Sequence, residues 1–162
     1  MEPSSGDVVV EVPTGHINIG PVGFHQYAVE YQLATKAIPL GRSISPIPYY
    51  LLCRSLELGL KAYLLSKGFS QDELKKIGHN LSKLLNVSKR EGIDQFYSLS
   101  KDEVEAIRRA NVVYKSKAFE YFDLSRILSD FRNLPELDKL ATITDNVLTS
   151  IKQECIDRSR SG

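Results

Sequence analysis

Three ionisable residues interrupt an otherwise apolar stretch. In the segment Pro48–Gly68, Arg54, Glu57 and Lys61 stand at i, i+3 and i+7, which stacks them on one face of a helix. The order Glu57 to Lys61 is the favourable one for an i,i+4 ion pair. Two readings follow. An exposed stripe would be worth a few tenths of a kcal/mol and would keep a greasy helix soluble. A partly buried cluster would line a groove between this helix and the next long one. Burying any of these charges unpaired costs several kcal/mol, so a buried version must be an ordered network. His79, in Gly78-His79-Asn80-Leu81, is the companion residue. Its local role would be to pack or hydrogen-bond at a helix start. Its chemical role would be general acid or base, because an unperturbed imidazole titrates near neutral pH. That role needs a carboxylate such as Glu57 beside the ring and a cation such as Arg54 to stabilise a developing phosphorane charge.

Weaker signals surround this set. Residues 66–91 carry Lys67, Lys75, Lys76, Lys83, Lys89 and Arg90 against Asp72, Glu73 and Glu91. Such a surplus could touch phosphates, and it equally describes a solvated face. Arg108, Arg109, Lys115 and Lys117 form a second basic cluster, and the aromatics from Tyr114 to Phe122 either stack bases or fill a core. The net charge of +1 argues against a strongly electrostatic nucleic-acid binder while permitting a local patch. His16, His25 and His79 have no zinc spacing, and Cys53 and Cys155 form no Cys-x-x-Cys pair. Neither a metal nor a cofactor is expected, and the cysteines read as buried free thiols. There is no Gly-rich phosphate loop, nucleophile elbow, His-Glu-x-x-His or calcium loop. The first residues lack a basic region, Val8-Val9-Val10 is too short for a signal sequence, and no run approaches the length of a membrane span. These features predict a cytoplasmic protein without a membrane partner.

The elements that must hold these residues are helices. Residues 1–21 read as an irregular segment with a short strand at Val8–Val12, an edge or dimer contact, before Pro13, Gly15, Gly20 and Pro21 interrupt it. Phe24, Tyr27, Tyr31, Ala34 and Ile38 recur at helical steps over 22–38. Ser45 caps the central helix, Pro46 opens it and Gly68 ends it. Ser70–Glu73 and Ser100–Glu103 have capping-box spacing. The first starts a short helix ending at Gly78, and the second starts a long one. Between them a helix is predicted over 79–90. Residues 114–131 read as irregular or short-helical packing. Asn133-Leu134-Pro135-Glu136 starts a last helix over 135–157, whose apolar residues lie near heptad spacing, to pack in the bundle or pair with a second subunit. Residues 158–162 read as a flexible tail. The predicted fold is all-α: an up-and-down four-helix bundle over 22–157, with an extra short helix.

Two of these segments carry a resemblance. Leu56-Glu57-Leu58-Gly59-Leu60-Lys61-Ala62-Tyr63-Leu64, followed by Gly78-His79-Asn80-Leu81-x-x-Leu84-Leu85, resembles the HEPN superfamily of small prokaryotic helical domains. Its usual form is a Glu-x-x-Leu-Lys-Ala helix and then a His-Asp/Asn-Leu helix start. The segment from Tyr114 to Phe119-Glu120-Tyr121 is similar to an aromatic stretch further along such chains. The resemblance covers residues 45–122. It implies a four-helix bundle, a homodimer, and a role tied to RNA or nucleotides, including toxin–antitoxin and phage-defence ribonucleases. The active members carry Arg-x4–6-His, often starting Arg-Asn. Here Arg132-Asn133 supplies the start, but no histidine follows His79 anywhere in the chain. The resemblance therefore implies a non-catalytic module. It would bind RNA, a nucleotide or a partner protein through Arg54, Glu57, Lys61 and His79, with Arg132 and Asn133 as further candidates. The alternatives are a metal-independent endoribonuclease with a rearranged site using His79, and a purely structural subunit.

Overall fold

The computed structural model describes residues 9–13, 15–39, 45–121, 125 and 129–161. The expected irregular lead at residues 1–8, the turn at Gly41 and the aromatic Phe122 lie outside that set. The described chain is mostly helical. It opens with strands β1 (Val9–Val12) and β2 (Gly15–Asn18), continues with helices α1 (Pro21–Lys36), α2 (Pro46–Ser66), α3 (Gln71–Ile77), α4 (Leu81–Arg90) and α5 (Lys101–Lys115), and closes with α6 (Leu137–Ser161). Short 3-10 turns occupy Ile93–Gln95 and Phe131–Asn133.

The hairpin corrects one expectation. Val9–Val12 and Gly15–Asn18 are an antiparallel pair with Val10 opposite Ile17 and Glu11 opposite His16. Pro13, read from sequence as a breaker, falls at the turn, where its missing N–H costs no ladder bond, and Gly15 takes the first position of β2. The hairpin is tied to the helices through close packing: Gly23 of α1 lies so near Asn18 that a β-carbon there would sit 1.8 Å from the Asn18 carbonyl oxygen.

Helix boundaries follow their caps. Ser45 accepts from the Ile47 amide and Pro46 opens α2. Gly68, at φ +93°, ends it: the Phe69 and Gly68 amides donate to the Leu64 and Leu65 carbonyls, a reciprocal left-handed cap. Both capping boxes form, at Ser70/Glu73 and Ser100/Glu103. Two boundaries move. The cap of α4 is Asn80, whose side chain accepts from the Lys83 amide, so His79 stands outside the helix. The last helix begins after Pro135 and runs on through Ser161, with Ser159 buried.

Helix α2 is the hub. It packs on α1, α4, α5 and α6, which explains why it is apolar nearly all round. Leu52, Leu56, Leu60, Tyr63 and Leu64 meet Leu81, Leu84 and Leu85 of α4, Ile107 of α5, and Leu140, Ile143, Val147 and Ile151 of α6 in one core. Cys53 and Cys155 are free and buried.

Candidate functional site

Helix α2 packs on four other helices, and Glu57 lies on a side of it that faces inward. The Glu57 side chain is 0% exposed. Its carboxylate is satisfied at both oxygens. Oε1 accepts from Lys61 Nζ at 2.6 Å and from Arg54 Nη1 at 3.0 Å. Oε2 accepts from the Tyr114 hydroxyl at 2.5 Å and from His79 Nδ1 at 3.0 Å. Arg54 and Lys61 come from the adjoining turns of α2, Tyr114 from the end of α5, and His79 from the link between α3 and α4. The sequence-predicted set Arg54, Glu57, Lys61 and His79 is therefore one hydrogen-bonded cluster.

The path of the chain places His79. The left-handed cap at Gly68 reverses the chain out of α2, and α3 spans only seven residues. Gly78, at φ +70°, then turns the backbone sharply. Asn111 of α5 fixes the next step. Its Oδ1 accepts from the Leu81 amide at 2.8 Å, and its Nδ2 donates to Asn80 Oδ1 and Ser82 Oγ. The start of α4 is thus stapled to α5, and the His79 ring meets Tyr114 edge to face with centroids 6.3 Å apart.

Burial by itself would raise the Glu57 pKa. The hydrogen bonds from Lys61 and Tyr114, the Lys61 charge and the bond from His79 outweigh it, so the carboxyl is held below its ordinary value. The Tyr114 hydroxyl is pushed up, first by its own burial and then by the adjacent carboxylate. Partial burial works against the Arg54 charge, but Glu57, Tyr114 and Tyr31 more than restore it. Two cations face one carboxylate, which leaves a surplus positive charge. Exposure grades outward from Glu57: Lys61 is 12% exposed, Arg54 28% and His79 53%. Because the carboxylate can only accept, Nδ1 of His79 carries the hydrogen, and Nε2 has no partner among the described residues. The cluster presents a guanidinium and an imidazole, pre-oriented from beneath, to the surface.

Arg132 and Asn133 are not brought to this cluster. They lie in the 3-10 turn before α6, against the outer face of α5, where Arg109 donates to the carbonyls of Asn133 and Leu134. Among the described residues neither joins the hydrogen bonds around Glu57. The basic surplus of residues 66–91 is partly spent: Lys67 pairs with Glu154 and sits over the Tyr63 and Phe96 rings, and Lys75 pairs with Asp72. Arg108 is engaged by Glu105. Phe119 stacks on Tyr49 and meets Phe131 edge-on, so this part of the aromatic stretch is packing.

Sequence reasoning missed two residues. Tyr114 was legible as an aromatic but not as a donor. Asn111 is a polar residue inside the apolar stripe Ile107, Ala110, Tyr114 of α5, and that interruption is the signal that could have found it. Among the described residues no three His, Cys, Asp or Glu side chains gather as a metal-holding group, and no helix is long and apolar enough to cross a membrane.

No family model, no curated protein and no solved structure matches the chain.

Proposed function

We propose that this chain is a divergent HEPN-like module that binds a phosphate-bearing ligand, a nucleotide or RNA, without cleaving it. In this reading it is a cytoplasmic homodimer built on an up-and-down four-helix bundle, in a toxin–antitoxin or phage-defence setting. The observation that carries the reading is the Glu57 cluster. A fully buried carboxylate that holds Arg54 at the surface, with the Lys61 charge left over, is a pre-organised anion site. Calorimetric titration with nucleotides and short single-stranded RNAs tests it. Binding should weaken with salt and fall about tenfold or more in Arg54→Ala, the loss expected for one charge-assisted hydrogen bond. Absence of binding to every nucleotide and RNA, or an Arg54→Ala protein that binds as well as the native one, overturns the reading and leaves a protein partner as the occupant.

One observation favours a second reading, a metal-independent ribonuclease. The Glu57–His79 pairing puts the ring hydrogen on Nδ1 and turns Nε2 outward, the orientation a general base needs. Incubation with total RNA separates the two. Cleavage that disappears in a folded His79→Ala protein assigns catalysis; intact RNA assigns binding.

A further inference from the structure

The cluster is continuous with a hollow on the α1/α2 surface. Arg54 is part of its lining. Phe24, Tyr27 and Tyr31 of α1 and Leu51 and Leu58 of α2 line the rest. Its volume is about 580 Å³, inside the roughly 300–1,000 Å³ typical of small-molecule sites. Tyr27 and Tyr31 are one helical turn apart, so their half-buried rings share a face. The Tyr31 hydroxyl lies against the Arg54 guanidinium. Glu30, on the same lining, offers a carboxylate acceptor. The hollow therefore has three chemical parts: aromatic and aliphatic walls, a hydrogen-bond acceptor, and a cation, Arg54, through which it joins the Glu57 cluster.

We infer that this hollow is a nucleobase pocket: a base stacks on the Tyr27 and Tyr31 rings while its phosphate sits on Arg54. Every base has a π-face that an aromatic side chain can stack, at about 1–3 kcal/mol. Glu30 accepts from an exocyclic amine, which favours adenine, cytosine or guanine over uracil. The charge asymmetry selects the occupant. An apolar ligand would make no use of the positive charge that Arg54 and Lys61 hold in excess of Glu57, and a simple anion would leave the walls empty. The inference rests on the phosphate-site reading above and names its ligand. The source is either a free mononucleotide or an unpaired base of an RNA strand.

The test compares AMP, ribose 5-phosphate and a single-stranded tetranucleotide on the native protein and on Ala34→Phe. Ala34 is exposed and lines the same hollow, so a phenylalanine there fills the space without entering the core, and circular dichroism checks that the fold survives. AMP should bind at least tenfold more tightly than ribose 5-phosphate. Ala34→Phe should erase that advantage while leaving ribose 5-phosphate within twofold. Tyr27→Ala should do the same by removing the stacking wall. If only the tetranucleotide binds and Ala34→Phe weakens it, the base comes from a strand and the pocket stands. Equal affinity for AMP and ribose 5-phosphate on the native protein overturns the pocket and leaves the phosphate site intact. Absence of binding to all three overturns both. A native dimer that dissociates in Ala34→Phe while AMP binding is unchanged also overturns the pocket, and assigns the hollow to a second copy of the chain.

Discussion

Glu57 is the residue on which the local electrostatics turn. Four donors keep its buried carboxylate ionised, and removing it would leave Arg54 and Lys61 facing each other without a counter-charge. Glu57→Ala should cost about 3–5 kcal/mol, the range for breaking a buried ion pair by deleting one partner. Urea unfolding measures it. Tyr114→Phe removes one charge-assisted donor and little volume, and should cost about 1–3 kcal/mol by the same measurement. The pH dependence has a definite sign. The folded pKa of Glu57 lies below its ordinary 4.5, so its contribution is complete above 4.5 and is lost as pH falls through the folded value. Glu73 and Glu103 are also lowered. Stability should therefore drop as the pH falls below about 4.5, and Glu57→Gln should flatten part of that drop. An acid limb of unchanged steepness in Glu57→Gln would remove Glu57 from this account.

At the scale of elements, two small residues test how the pieces dock. Alanine is normally better than glycine inside a helix by about 1 kcal/mol. At Gly23 that gain is overridden, because the added carbon would fall 1.8 Å from the Asn18 carbonyl oxygen. Gly23→Ala should lower the thermal midpoint and speed amide exchange in β1 and β2, since either α1 or the hairpin must move. Ser88 is the opposite case. Its hydroxyl, on the inner face of α4, is buried without a hydrogen-bond partner among the described residues. Ser88→Ala removes an unsatisfied group and improves helix propensity, so it should leave stability unchanged or raise it by about 1 kcal/mol. The capping residues Ser45, Ser70 and Ser100 were legible in the sequence because a cap is decided within four residues. The hairpin was not, because Pro13 and Gly15 have the same composition in a turn as in irregular chain.

For the molecule as a whole, α2 is the element that makes one cooperative unit of the rest. Cys53 at its centre and Cys155 on α6 are almost completely buried, and burial raises both thiols, Cys155 to about 12. Neither should react with a thiol reagent at neutral pH until the core opens, so labelling should follow global unfolding and slow as stability rises. Fast labelling of Cys53 under native conditions would contradict the hub role of α2.

The sequence by itself determined the helical periodicities, the caps that bound α2, α3 and α5, and the stacking of Arg54, Glu57 and Lys61 on one face. These are properties of neighbours within a few residues, where backbone geometry alone fixes who can meet. Only the tertiary structure decided that the face turns inward, that Tyr114 and His79 arrive there from other elements, and that Arg132 and Asn133 remain elsewhere. Those outcomes depend on which surfaces α2 shares with α4 and α5. Such a choice minimises exposed apolar area and unpaired charge over the whole chain, so no local window can contain it.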